Sequence, residues 1–258
     1  MAVVRAASPR LAAVMGVVFS GLFVAALVVV NGAPHLDAPD ATYGAFYAGA
    51  GDTLVSAVGL YLVPLAGIAF LWFAVALRSV LDTLDPAPSA MARGLNLPAG
   101  LLFVGLLFAG TAALAAPFFA TSIGGAPALE PATARALSAL GYGLVFVFAV
   151  RGAGMFALTS TTLLRSAGVL PKAAAVVAYL LAAYLLLTAT YHPASLLVFP
   201  AWVLLVAVAL VRHERRVRSA TQAPVEEPTA GTAASSDPLP DATSETTHCA
   251  RPTSRSEP

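Results

Sequence analysis

Residues 137–164 read LSALGYGLVFVFAVRGAGMFALTSTTLL, a run in which Arg151 is the one charged side chain and lies near the centre. A helix needs roughly 20 mostly apolar residues to cross about 30 Å of hydrocarbon, so this stretch is long enough to span a bilayer. Five further stretches have the same character, at 11–30, 53–77, 99–121, 173–190 and 194–211, and none of them contains Asp, Glu, Lys or Arg. Hydrophobic residues make up 59% of the 258 positions and charged residues 10%, against about 25% charged in a soluble domain. The expected fold class is all-α: a polytopic transmembrane bundle of six helices over residues 1–212, followed by a disordered tail over 213–258.

The first apolar run follows Arg5 and Arg10 as a signal peptide would, but it is longer than a typical h-region, and Asn31-Gly32-Ala33 makes a weak cleavage site. It is therefore expected to remain as an uncleaved first span. From His213 onward there is no Phe, Trp or Tyr, while Pro, Ser and Thr are abundant. Such a composition buries too little apolar surface to offset the entropy of ordering.

Charge placement sets the expected orientation. Arg5, Arg10, Arg78, Arg93, Arg165, Lys172, Arg212, Arg215, Arg216 and Arg218 fall in the connections of one side, and only Arg135 falls on the other. The positive-inside rule then places both termini in the cytoplasm, which requires an even number of spans. The expected location is the cell membrane, multi-pass, with the lipid bilayer as the expected partner. A formal net charge of +1 gives no reason to expect nucleic acid. The single cysteine, Cys249, excludes an internal disulfide and a cysteine metal site.

Local features are few. Pro64, Pro117 and Pro200 lie inside expected spans, where each frees a carbonyl and favours a kink. Small residues at four-residue spacing, Gly16/Ser20, Ala109/Ala113, Ala149/Ala153 and Ala178/Ala182, offer close helix approaches. Asp40 is placed to cap a short aromatic segment, Ala41 to Ala48, and Asp52 to cap the second span. His35, Asp37 and Asp40 are metal-ligand types, but their spacing matches no established site. No HExxH, GxSxG or intramembrane aspartate pair is present, and every histidine lies outside the spans, so neither an enzyme nor a cofactor is expected.

Arg151 remains the one candidate polar site. A charge at a helix centre costs roughly 2.5–3.5 kcal/mol on insertion scales, and the acids flanking span two, Asp52 and Asp82, lie about 20–25 Å from its middle. At comparable depth the sequence places Ser20, Thr111, Tyr179 and Tyr184, together with the Leu60 carbonyl freed by Pro64. On its own helix the Arg151 face collects Phe148, Gly154, Met155, Leu158, Thr159 and Thr162, a mixed set. Three arrangements satisfy it: bonds to hydroxyls and carbonyls in a polar interior or snorkelling toward headgroups, a bound anionic lipid or small anion, or a shifted span that leaves the arginine at the boundary. The corresponding functions are a scaffold or envelope subunit, or a binder or transporter of a small anionic or amphiphilic molecule. The protein partner and oligomeric state are not readable.

The block Gly59-Leu-Tyr-Leu-Val-Pro-Leu-Ala-Gly-Ile-Ala-Phe-Leu-Trp-Phe73, followed by Arg78, resembles a family of uncharacterised multi-span membrane proteins of high-GC actinobacteria. Arg151-Gly-Ala-Gly-Met-Phe, Gly168-Val-Leu-Pro171 and Phe199-Pro-Ala-Trp-Val-Leu-Leu205 are similar to that family's later landmarks. The resemblance covers about residues 54–212 and implies a six-helix layout without functional residues. Leu170-Pro171-Lys172-Ala173 departs from it where an arginine and a tryptophan are expected after the proline.

The orientation is checked with reporters active only in the cytoplasm. Fusion after Arg218 is expected to give signal, and insertion into the 31–52 connection to give none.

Overall fold

Ser8 opens the first helix, its hydroxyl accepting from the Leu11 amide at 3.3 Å, with Pro9 at the first helical position. Helix α1 then runs Pro9–Val30. The computed structural model describes residues 8–32, 36–48, 57–84, 89–125, 127, 129–188 and 193–222. In chain order the remaining elements are α2 (Asp40–Ala48), a π turn (Val58–Leu62) leading into α3 (Val63–Leu84), and α4 (Ala90–Phe118) ending in a π turn (Phe119–Ile123). Next come α5 (Pro131–Tyr142), a π segment (Gly143–Ala149) and α6 (Val150–Ser166), then α7 (Lys172–Leu187), a 3-10 turn (Pro193–Leu197) and α8 (Val198–Gln222). No strand occurs among the described residues.

Five of these helical stretches are long and apolar enough to cross a membrane: Pro9–Val30, Val58–Leu84, Ala90–Thr121, Pro131–Ser166 and Ser195–Ser219. The fifth expected span, 173–190, corresponds to α7, a shorter apolar helix of 16 residues. At 1.5 Å per residue it covers about 24 Å, short of the roughly 30 Å of hydrocarbon. Residues 189 and 190 of that span lie outside the described residues. The final helix continues to Gln222, past the boundary expected at 212. Arg218 bonds Glu214 one turn earlier, and Arg10 reaches the same carboxylate at 3.2 Å. Such pairs support a polar helix end that propensity alone leaves marginal. The rest of the expected tail, 223–258, lies outside the described residues, as does the expected cap Asp52.

Ion pairs sort the helix ends. Arg10–Glu214 joins the start of α1 to the far part of α8, and Arg93–Asp82 joins α3 to α4 across their connection. These mark a basic end. At the opposite end Arg135 of α5 bonds Asp40 at 2.6 Å and the Ala38 carbonyl at 2.8 Å. Asp40, expected as a cap, is thus held by the one arginine assigned to that side.

Between the ends the centre is aromatic. Phe19, Phe70, Phe103, Phe156 and Phe199 are buried and meet at centroid distances between 4.8 and 6.3 Å, mostly tilted or edge-on, the arrangement that aligns ring edges with ring faces. Trp202 joins them, stacked on Phe199 and edge-on to Phe156. The gap bordered by Phe23, Phe103, Leu185 and Phe199 has about 10 Å³ of space and no polar lining, no more than the ~10–15 Å³ one water requires.

Glycine sets the closest backbone approaches. A Cβ on Gly141 would lie 2.7 Å from the Gly110 carbonyl oxygen, and one on Gly152 would lie 3.0 Å from the Phe103 amide nitrogen. A Cβ on Gly154 would lie 3.1 Å from the Leu186 amide nitrogen. Of the four expected small-residue pairs, Gly16/Ser20, Ala149/Ala153 and Ala178/Ala182 are buried, whereas Ala109 is exposed and Ala113 half-buried. On α4 the contact is made instead by Gly110, one position along, because Gly141 needs a partner without a side chain. The prolines also separate. Pro64 follows a π turn in which the Val63 amide bonds the Val58 carbonyl, and Pro117 precedes another. Pro200 falls in the first turn of α8, where an amide has no intrahelical partner to lose, so the kink expected there is replaced by a helix start.

Gly141→Ala forces α4 and α5 apart and is expected to lower unfolding stability by about 1–3 kcal/mol, the usual cost of overpacking. Gly105→Ala meets nothing within 4 Å and should be neutral or stabilising by about 1 kcal/mol. Thermal unfolding in detergent compares the two.

Candidate functional site

Helix α6 carries both Arg151 and the Thr159–Thr162 hydroxyls, and the π segment before it sets their direction. The Val150 amide reaches five residues back, to the Val145 carbonyl. From Val150 onward the helix is regular, so each residue turns about 100° from the last. Gly152 therefore faces α4, and Gly154 faces α7 on the other flank. Arg151 falls between these two contacts, on the stripe that points away from the bundle. Phe148 (56% exposed) and Met155 (36%) lie on that stripe with it.

The Arg151 side chain is half-buried. Its Nη1 donates to the Val147 carbonyl at 2.6 Å, one turn back along its own helix. A guanidinium has five N–H donors, and among the described residues no carboxylate pairs with this one.

The hydroxyls expected at its depth have other partners. Ser20 is buried and donates to Gly16 O at 2.8 Å and to Pro200 O at 3.4 Å, fastening α1 to the start of α8. Thr111 donates to the Leu107 carbonyl at 2.7 Å within its own helix. Tyr179 donates to Thr162 Oγ1 at 3.1 Å, and Tyr184 is 42% exposed on α7. The structure does not gather these residues around Arg151. The exposed stripe has a physical origin: Gly152, Ala153 and Gly154 let the neighbouring backbones come close on either side, which leaves the long side chains of Phe148, Arg151 and Met155 to project outward.

About two to three turns from Arg151 toward the basic end lies a polar cluster that composition did not single out. Thr159, Ser160, Thr161 and Thr162 are consecutive, so together they sweep most of the helix circumference. Asn96 of α4, 3% exposed, donates through Nδ2 to Thr159 Oγ1 at 3.0 Å and to Ser160 Oγ at 2.7 Å. Trp202 of α8 donates through Nε1 to Thr161 Oγ1 at 3.1 Å. With Tyr179 on Thr162, four hydroxyls bind three different helices to α6. The signal available in sequence was the run Thr-Ser-Thr-Thr in an apolar helix together with Asn96, the lone amide near the start of α4. Their pairing depends on how the helices are arranged.

Among the described residues no three of His, Cys, Asp and Glu gather as a metal site. Asp40 is engaged by Arg135, and His35 lies outside the described residues.

Asn96→Ala removes two donors to α6, but Thr159 keeps its bond to the Met155 carbonyl at 2.9 Å. Interhelical hydrogen bonds in membranes average about 0.6 kcal/mol and reach about 1.7, so a loss of about 1–2 kcal/mol is expected. Trp202→Phe, losing a single bond, should cost less at the hydrogen-bond level and more through the vacated volume. Urea or thermal unfolding of the two variants and their double mutant measures the coupling.

Compared with protein-family models, with curated proteins and with solved structures, the chain matches none, so the reading of its function rests on these contacts.

Proposed function

We propose that this chain is a multi-pass protein of the cell membrane, with six crossings and both termini cytoplasmic, serving as a non-enzymatic scaffold or subunit of a larger envelope assembly. In this reading α7 is the fifth crossing. Membership of the actinobacterial family that the Gly59–Phe73 block resembles is part of the same proposal. The outward placement of Arg151 carries it. A half-buried guanidinium at mid-length of an apolar helix, bonded to one carbonyl and flanked by exposed Phe148 and Met155, is costly against lipid alone. A carboxylate on a neighbouring protein's transmembrane helix supplies the missing charge, and the apolar stripe supplies the packing surface. The filled aromatic centre also favours a structural role, since the gap between the rings is apolar and has only about 10 Å³ of space.

The same donors favour a second reading, in which a small anionic or amphiphilic molecule or a lipid occupies the Arg151 stripe. Affinity capture in mild detergent, followed by native mass spectrometry, separates the two. A protein retained by the wild type and lost from Arg151→Ala supports the subunit reading. A small bound mass lost with the same substitution supports the second, and recovery of the bare chain in both cases refutes both. Arg151→Ala is expected to leave the melting temperature unchanged or raise it, because it removes a charge that the isolated chain does not pair.

A further inference from the structure

Helix α8 has a single acid, Glu214, on the opposite side from two of its arginines, Arg212 and Arg216. Glu214 faces α1, only 12% exposed, and is neutralised by Arg10 and Arg218. Counting at 100° per residue, Arg212 and Arg216 project from the opposite face, and His213 lies to one side between them. Among the described residues neither Arg212 nor Arg216 pairs with a carboxylate.

That face borders a cavity of about 370 Å³ between α8 and the turn joining α6 to α7, within the ~300–1,000 Å³ range of small-ligand sites. Its walls are apolar, formed by Val169, Ala174, Leu205 and Ala209 among others, and its basic edge is formed by Arg212, His213 and Arg216. The turn is held in place by Gly168 at φ +71° and by amide bonds from Val169 and Leu170 to the Leu164 carbonyl. Leu204, Val208 and Arg212 form a ridge, and beyond it a second apolar groove of about 490 Å³, shared with α1, also ends at Arg212. An apolar groove on each side of one arginine, with further cations at the mouth, matches a two-chain amphiphile whose headgroup carries negative charge.

We infer that this end of α8 is a binding site for an anionic diacyl phospholipid. The phosphate is held by Arg212, His213 and Arg216, and one acyl chain lies in each groove. Arginine suits the phosphate because its donors meet two oxygens at once, and the apolar walls retain the chains as any bilayer-facing surface does. The inference rests on the reading of the basic end as the cytoplasmic headgroup level, but it is independent of the subunit role and involves none of the residues around Arg151.

The test uses the full chain purified in mild detergent and mixed with phosphatidylglycerol or phosphatidylcholine, with retained lipid counted by native mass spectrometry. Phosphatidylglycerol should be retained at least tenfold better. The double variant Arg212→Ala/Arg216→Ala should erase that preference, and Ala209→Trp, which fills the first groove, should weaken retention while leaving the melting temperature within a few degrees of wild type. A control of equal charge, Arg78→Ala/Arg218→Ala, should retain the lipid as the wild type does. Equal loss in the control would show diffuse charge attraction and overturn the site. So would unchanged retention in the double variant, or displacement of the lipid by millimolar inorganic phosphate, which would indicate a phosphate site without a lipid. Loss of a protein partner on Arg151→Ala is read on other residues, so failure of either proposal leaves the other standing.

Discussion

Backbone contact through glycine on α6 is the constraint on which the rest of the bundle depends. Gly152 sits against the Phe103 backbone of α4, and Gly154 against Leu185 and Leu186 of α7. In lipid there is little hydrophobic drive between helices, and association relies on packing and on hydrogen bonds. Two helices can therefore approach α6 only where it has no side chain to hold them off. Once they do, the hydroxyls about two turns along come within reach of Asn96, Trp202 and Tyr179. The bonds follow from the fit and then fix its register.

The same constraint gives Arg151 its position. Because Gly152 and Gly154 are taken by neighbours on two flanks, the residue between them must project outward. Its depth is set by sequence and its direction by packing. That is why the hydroxyls expected to meet it do not: Ser20 and Thr111 face inward on their own helices and satisfy carbonyls there. Read by size alone, the pattern of small residues at 152, 153 and 154 beside large ones at 148 and 155 already separated a buried flank from an exposed one. Periodicity in polarity blurred the distinction, since Thr159 and Thr162 count as polar on the face while bonding to neighbours within the bundle.

Charge is distributed by the same economy. Arg10, Arg93, Arg135 and Arg218 each have a carboxylate; the Arg218 pair lies within α8, and the other three join the ends of different helices. Exposed pairs of this kind contribute little energy, about 0–1 kcal/mol, so their value lies in specifying which ends lie together. Arg151 has no such partner within the described residues, and neither do the arginines on the far face of α8. The two sites differ in setting, one at mid-length of an apolar helical stretch and one at the mouth of an apolar groove, and this difference is the reason a protein partner is proposed for the first and a lipid for the second.

The sequence by itself determined that the chain is helical and suited to a membrane, because its apolar runs near 20 residues are long enough to cross a bilayer and its charge content is only 10%. It also placed most helices closely and identified the lone charge. Length decided less well at the fifth span, where hydropathy runs on to residue 190 but helix α7 ends at Leu187 with Thr188 already extended. Composition likewise ended the last helix too early, since the Arg218–Glu214 and Arg10–Glu214 pairs that extend α8 are contacts and not propensities. Only the tertiary structure decided which face of α6 is outward, which hydroxyls meet Asn96 and Trp202, and which arginines border a groove. Each of these depends on the rotation of one helix against another, and that rotation is set by where glycine allows two backbones to touch.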